Sequence, residues 1–428
     1  MNAVAPEPAG WVRWVTALFG FAAVLLAMDT LRLFGGEQWL ASWITLETHF
    51  YFALSALLLP CVFILNPRII LLDTLLAFVA IAVCGYFFWQ ANNIVDEGWE
   101  FGAPSTPTYA AIALWLLLLE AVRRAGGLGL AIIATLFSFM PLVADQLPAP
   151  FTGASASFAD TAAYHALSVE SIFGLPFRAF AELVIGFLVF GVALQYTGGG
   201  RFFLDLAFAL LGRVRGGPAK VAVVASGFMG SMSGSVVTNV LTTGQMTIPA
   251  MKKAGMEPAQ AGAVEACAST GGVLLPPIMG STAFVMANFL DVPYHEVALA
   301  AALPALLYFA TLFVQLDAAA ARDGLAGQNP EDLPQLRPTL KQGWYYLGAF
   351  ATLIFLLLVL QREAFAPYYA TAALLVLNQL STNHRWGSKQ LIDFIYAVGK
   401  LLAELFAVLA GVGLIVGALS VTGLARAH

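Results

Sequence analysis

Of the 22 residues spanning positions 226–247, 14 are Gly, Ser, Thr, Asn or Gln, and none is charged. Hydroxyls, a carboxamide and the carbonyls released where a Gly-rich backbone breaks are hard oxygen donors, the kind a small cation takes. The stretch sits inside VAVVASGFMGSMSGSVVTNVLTTGQMTIPA (221–250), which has Arg213, Arg215 and Lys220 before it and Lys252 and Lys253 after it. Basic flanks at both ends place both ends on the cytoplasmic side of a membrane. Two crossings need about 40 residues, and this segment has 30. The reading is a re-entrant hairpin that enters, turns near mid-membrane at 231–235 (SMSGS) and returns. Gly234 lies in that turn, with Asn239 and Thr242 on the returning arm. Taken singly, Gly227, Gly230 and Gly244 are explained by close helix contact. Their clustering with Ser and Asn at the middle of a segment too short to cross points to a binding tip.

A second break is expected in the next apolar run, 259–290, where Thr270, Gly271 and Gly272 precede Pro276 and Pro277. Gly makes unwinding cheap and two prolines remove two donors, so the helix should be discontinuous near the bilayer centre. A structural kink is the competing reading. Glu265 lies in the same run, and a charge in hydrocarbon costs roughly 2.5–3.5 kcal/mol, which makes it a functional candidate by default. Near the cytoplasmic end it would instead be a hydrated or hydrogen-bonded acid. Glu182 has Arg178 one turn earlier and reads as a structural i,i+4 pair. His49, His165, His295, His384 and His428 fall near run ends or in loops, which gives an imidazole proton relay no support. Cys61, Cys84 and Cys267 lie in apolar runs without metal spacing and read as packing residues.

The elements that must hold these residues follow from composition. The chain is 60% hydrophobic and 11% charged, against roughly 25% charged in a soluble domain, so a soluble enzyme is excluded. The weak net charge of -5 leaves no basic surface for nucleic acid. Apolar runs long enough to cross lie at about 12–33, 48–66, 69–90, 107–123, 127–147, 176–196, 259–290, 297–316, 344–361, 366–380 and 395–421. No alternating ten-residue strands for a barrel occur, so the fold class is an all-α integral membrane protein. It should have about eleven transmembrane helices plus the re-entrant hairpin. Arg13, Arg68, Arg123 and Arg124 fall in alternate connections, while 34–66, 90–122 and 125–177 contain no Lys or Arg. The N-terminus is therefore expected inside, with the loops 91–106 and 148–175 outside. The polar stretch around GQNPEDLPQLRP reads as a cytoplasmic linker, 321–342, between two halves.

SGSVVTNVLTTGQMTIPAMKKAGM followed by GAVEACASTGGVLLPPIMGSTAFVMANFLDVPY resembles the large membrane (M) subunit of TRAP transporters, and in particular the fused permeases of TAXI type. The match is strong over about 160–320. The resemblance implies an elevator-type secondary transporter of the inner membrane. In it, Na+ would drive uptake of an organic acid (a carboxylate) handed over by an extracytoplasmic TAXI-type solute-binding protein. Carried over residue by residue, it puts Ser233 and Ser235 at a sodium site. Backbone carbonyls of Gly272 and Leu275 would join them, with Pro277 fixing the break. Gly234, Asn239, Thr242, Thr270, Gly271 and Glu265 become candidates for the hairpin and substrate region. The expected organisation is a four-helix region at 1–125 in the small-subunit position and the first part of the permease core at 126–320. The linker and the start of a second repeat at 343–428 follow.

The family builds its core from two inverted repeats, and the second would need its own Gly-rich hairpin, which is not found before His428. The expectation is a truncated second repeat and a chain that does not transport alone. Competing classes are a passive channel or structural membrane subunit and, further off, an intramembrane serine protease. The protease lacks a base, since GSMSG does not fit G-x-S-x-G and the histidines fall at run ends, as His49 does, or in loops. An ATP-driven pump lacks GxxxxGK[ST]. Sodium-dependent uptake by the purified 428-residue chain alone in liposomes is the observation that contradicts the truncated reading.

Overall fold

The computed structural model describes residues 10–33, 38–149, 151–381 and 385–424. Among them every regular element is helical and no β-strand occurs. The chain runs through α1 (Gly10–Thr30), α2 (Glu47–Leu65), α3 (Ile70–Trp89), α4 (Ala91–Asp96), α5 (Ser105–Ala125), α6 (Gly127–Phe139), α7 (Phe158–Leu167) and α8 (Leu175–Ala179). A π turn, Phe180–Val184, joins α8 to α9 (Ile185–Tyr196). Then come α10 (Gly199–Leu211), α11 (Gly217–Ser233), α12 (Val236–Lys253), α13 (Pro258–Gly272), α14 (Ser281–Leu290) and α15 (Tyr294–Arg322). The last three are α16 (Leu336–Ile354), α17 (Ala366–Leu380) and α18 (Ser388–Val421). His384 and His428, and the arm before Gly10, lie outside the described residues.

Eight helices among the described residues are long and apolar enough to cross a membrane, against the eleven or so expected. The shortfall has local causes. The expected 127–147 span stops at Phe139, because Pro141 opens a 3-10 turn and a second such turn follows at Ala144–Gln146. The 259–290 run is split into α13 and α14. α17 has 15 residues, about 22 Å at 1.5 Å per residue, short of the roughly 30 Å hydrocarbon core. The expected loops are also partly helical: α4 occupies the start of 91–106, and α7 lies in 148–175. α7 is set by Ser157, whose Oγ accepts from Asp160 N at 3.1 Å as an N-cap. In the expected linker, α15 continues to Arg322, α16 starts at Leu336, and Leu333 packs with Leu204, Ala207 and Phe208.

Packing divides the chain into two compact units, Met1–Ile185 with Ile392–His428, and Gly186–Leu391. In the first unit α18 returns to the N-terminal helices through glycine. A Cβ on Gly20 would lie 2.3 Å from the Gly399 Cα, so α1 and α18 touch backbone to backbone. Arg13 on α1 pairs with Asp393 on α18. Arg124, its side chain 2% exposed, meets Asp73 at 2.6 Å and Glu120 at 2.7 Å, and donates to the Asn66 carbonyl at 3.1 Å. One guanidinium thereby ties the end of α5 to the end of α2 and the start of α3, well beyond the topological role its charge indicates.

His165 is fully buried in α7. Its Nε2–H donates to the Ser138 carbonyl at 2.9 Å and its Nδ1 accepts from Ser171 Oγ at 2.8 Å, a tautomer assigned from these partners. Burial pushes the imidazole down to about 4, so it is a neutral structural bridge. The ion pair expected between Arg178 and Glu182 is not among those of the described residues. The π turn Phe180–Val184 intervenes and shifts the i,i+4 alignment on which that pair depends. Cys61 and Cys84 are buried as packing residues, whereas Cys267 is exposed on α13.

Breaking the buried Arg124–Asp73 pair on one side strands a charge. Arg124→Met is expected to destabilise the protein by roughly 3 kcal/mol or more, and Arg124→Met with Asp73→Asn, which removes the stranded charge but keeps an oxygen for the Arg68 and Ile69 N–H groups, to recover part of that loss. Thermal melts in detergent check both. A single variant as stable as the parent contradicts the assignment.

Candidate functional site

Within the second unit, α11 and α12 form an antiparallel hairpin whose turn falls at Gly234, inside the expected 231–235. Gly234 adopts φ +60°, where L side chains are strained, and a Cβ there would also lie 2.8 Å from the Met279 carbonyl. Ser233 ends α11 and is 7% exposed, with its Oγ donating to the Ser235 carbonyl at 3.3 Å. Ser235 caps α12, its Oγ accepting from Thr238 N at 3.3 Å. Both serines expected at the ion site therefore lie at the tip.

The second break is also present. α13 stops at Gly272, the chain crosses 273–280 without regular helix beyond isolated turns, and α14 restarts at Ser281. The Pro276–Pro277 peptide within it is cis. Among the backbone groups released here, the Gly272 carbonyl accepts from Leu275 N at 3.1 Å and the Val273 carbonyl from Gly280 N at 2.9 Å. The Pro277 carbonyl accepts from Tyr294 Oη at 2.9 Å, and the same hydroxyl reaches the Ile278 carbonyl. Tyr294 is in turn held from behind. Glu363, in the connection between α16 and α17, accepts from the backbone N–H groups of Tyr294 and His295 at 2.9 Å each, and contacts His295 Nδ1 at 2.7 Å. A carboxylate at the start of α15 complements both the unpaired donors and the dipole there.

The hairpin is locked to α13 by two devices. The first is steric. A Cβ on Gly230 would lie 2.5 Å from the Gly272 Cα, and one on Gly272 would lie 2.5 Å from the Ser226 carbonyl. Asn239 Nδ2 donates to that carbonyl at 2.8 Å across the hairpin. The second device is Glu265, which is completely buried. Its carboxylate accepts from Ser226 Oγ of α11 at 2.8 Å and Ser269 Oγ of α13 at 3.2 Å, and from the hydroxyls of Thr243 and Thr247 of α12. Gly244 leaves the room: a Cβ there would come 3.1 Å from the Glu265 Cγ. Glu265 is thus a hydrogen-bonded acid joining three helices.

The structure brings together Ser233, Gly234, Ser235, Asn239, Gly272 and the segment with Pro277. Gly271 is buried against Tyr308 and Phe309. Thr242 and Thr270 are exposed, and their hydroxyls donate to their own helices, to the carbonyls of Thr238 and Ala266. Leu275 is half-buried in the unwound segment. The reading of residue types missed the acceptor's partners Ser226, Thr243, Thr247 and Ser269. The signal for them was present: Asn239, Thr243 and Thr247 are four residues apart, which puts them on one face of a helix, and Ser269 is one turn after Glu265. Tyr294 and Glu363 carried no such signal, being 69 residues apart.

Chemically, four helix ends converge on this contact. The C-termini of α11 and α13, at Ser233 and Gly272, present carbonyls and the negative end of the dipole, which suits a cation. The N-termini of α12 and α14, at Val236 and Ser281, present N–H groups and the positive end, which suits an anion. Gly234 and Gly280 sit where the two breaks meet, with a Gly280 Cβ position 3.7 Å from the Gly234 carbonyl. Among the described residues no group of three or more His, Cys, Asp or Glu side chains could hold a metal ion.

Residues 113–427 match the family described as "Tripartite ATP-independent periplasmic transporter, DctM component". Individual relatives match over shorter lengths. The chain is 32% identical over 152 residues to the uncharacterized protein y4mL of Sinorhizobium fredii, covering 35% of this chain and 36% of that one. It is 31% identical over 162 residues to the isethionate TRAP transporter permease protein DctMQ of Oleidesulfovibrio alaskensis, covering 38% and 22%. It is 31% identical over 133 residues to the C4-dicarboxylate TRAP transporter large permease protein DctM of Pseudomonas aeruginosa, covering 31% of each. The matched segment spans about a third or less of the length of these relatives.

Glu265→Leu removes the acceptor of four hydroxyls and is expected to destabilise the protein by on the order of 3 kcal/mol, whereas Glu265→Gln, which keeps one acceptor oxygen, should cost clearly less. Melting curves of the two variants check the order. Equal stability of Glu265→Leu and the parent rules out the carboxylate as the hairpin's anchor.

Proposed function

Since this chain belongs to the DctM component family of tripartite ATP-independent periplasmic transporters, we propose that it acts as the membrane permease of such a transporter, a carrier rather than an enzyme. Its activity would be sodium-coupled uptake of a small organic acid. The observation that supports this reading best is the meeting of the hairpin turn at Gly234 with the unwound segment at Met279 and Gly280. There two helix C-termini and two N-termini offer a cation and an anion neighbouring places without any charged side chain at the tip. Cation and substrate bound side by side are the physical basis of symport, because each lowers the cost of placing the other's charge out of water.

In this reading Ser233, Ser235 and the carbonyls of Gly272 and Leu275 bind Na+, and Pro277 holds the break open. Gly234, Asn239, Gly271 and Glu265 keep the hairpin's shape, and the exposed Thr242 and Thr270 face whatever surrounds this unit. The substrate class follows from the relatives' names, isethionate in one and C4-dicarboxylates in another. Each is a small organic anion, and a carboxylate is the form proposed here. The partner would be an extracytoplasmic solute-binding protein of TAXI type, the location the inner membrane with the N-terminus in the cytoplasm, and the motion elevator-like. The shared anchoring of α11, α12 and α13 by Glu265 favours that motion, since those helices then move as one piece.

Sodium binding is testable on the whole chain without transport. A ligand held by the folded state raises stability by about 2.7 kcal/mol at a hundred times its Kd. NaCl should therefore raise the melting temperature of the purified protein over choline chloride at equal ionic strength. Ser233→Ala with Ser235→Ala should abolish the difference. Because Ser235 also caps α12, the variant's melt in choline should fall by about the 1 kcal/mol of a lost cap, and the sodium response is read as the salt difference within each protein. A parent with no sodium response, or a double variant with an undiminished one, argues against this site and for the passive-channel or structural alternative.

A further inference from the structure

We propose that a groove between α11 and α15 holds one acyl chain of an anionic phospholipid, with Arg215 taking the lipid's phosphate. The groove has a volume of about 500 Å³ and is lined only by apolar residues, among them Val224, Gly227 and Phe228 of α11 and Leu306, Ala310 and Val314 of α15. Gly227 forms part of its floor, where an added Cβ would lie 3.3 Å from the Phe309 ring. Such a surface in hydrocarbon is covered by something apolar, and the two ends of the groove indicate what.

At one end stand three charges. Asp317 of α15 accepts from Lys220 at 2.5 Å and also pairs with Arg215. The Lys220 side chain is 7% exposed and neutralises Asp317 from within, while that of Arg215 is 53% exposed. The cluster carries one net positive charge, and the group that presents it outward is a guanidinium with further N–H donors in phosphate-matching geometry. The cluster joins the groove directly, because the Lys220 ammonium lies 5.1 Å from the centroid of Phe313, which is itself a groove residue. From Lys220 to Phe228 is about 12 Å and from Asp317 to Leu306 about 16 Å along their helices at 1.5 Å per residue. One leaflet of the hydrocarbon core is about 15 Å deep. A cationic collar followed by an apolar slot one leaflet deep is the complement of a single anionic lipid.

The test uses the full chain in phosphatidylcholine nanodiscs doped with a lipid carrying a photoreactive acyl chain, under either a phosphatidylglycerol or a phosphatidylcholine headgroup. Phosphatidylglycerol should label peptides of α11 and α15 about five-fold more than phosphatidylcholine does, the scale of one interfacial basic residue. Arg215→Gln should bring that ratio to about one while keeping some label, and Val224→Trp, which fills the slot, should remove the label. Melting curves in phosphatidylcholine matching the parent's show that both variants are folded. Arg215→Lys, which retains charge, should retain most of the ratio. Equal labelling by both headgroups in the parent, an unchanged ratio in Arg215→Gln, or label confined to other helices overturns the proposal. So does a photoreactive residue at Val314 that captures a polypeptide in native membranes in place of lipid.

Discussion

A carboxylate completely out of contact with solvent must be met by donors from the protein itself, and around Glu265 that requirement organises the whole second half of the candidate site. Four hydroxyls converge on it from α11, α12 and α13. Because no single helix could supply them all, satisfying the charge forces three helices into one arrangement. The glycine contact between Gly230 and Gly272 is the companion condition. Side chains as short as Ser and Thr reach the carboxylate only if the backbones approach closely, and they do so only where no Cβ intervenes. Hydrogen bonding and small-residue packing are here one interaction seen from two sides.

The same logic governs the broken helix. Ending α13 at Gly272 releases carbonyls that lipid cannot satisfy, so each must find a donor in the protein or line a cavity. Tyr294 covers the Pro277 and Ile278 carbonyls, and Glu363 fixes the start of the helix from which Tyr294 projects. The residues that flank the break, Gly272 and Gly280, lie against the hairpin, next to Gly230 and Gly234. The result is a stretch of unwound backbone braced by Tyr294 on one side and packed on the hairpin on the other.

Polar groups anchor the first unit as well, by different means. Arg124 gathers Asp73, Glu120 and backbone carbonyls at the end of α5. His165 bridges Ser138 and Ser171 as a neutral ring. α18 needs Gly399 to lie against α1. Hydrophobic attraction alone gives little preference among helix contacts where the solvent is itself apolar. These few polar and glycine contacts are therefore what make the arrangement specific.

Much of this was legible in the residue order. Basic flanks around a 30-residue polar-rich segment require a hairpin, and the turn lies at Gly234 within the expected 231–235. Gly272 and the proline pair mark the second break, and composition alone dictates helices in lipid. These are local or compositional properties, carried by residues adjacent in the chain. Span lengths were less legible, because Pro141 and the π turn at Phe180–Val184 alter helices without changing hydropathy. Which hydroxyls meet Glu265, that Tyr294 and Glu363 support the unwound segment, and that Lys220 and Arg215 share Asp317 were decided only by tertiary structure. Each depends on helices distant in sequence coming within hydrogen-bonding reach: the four-residue spacing of Asn239, Thr243 and Thr247 shows which face of α12 is polar, but not which group on another helix that face meets.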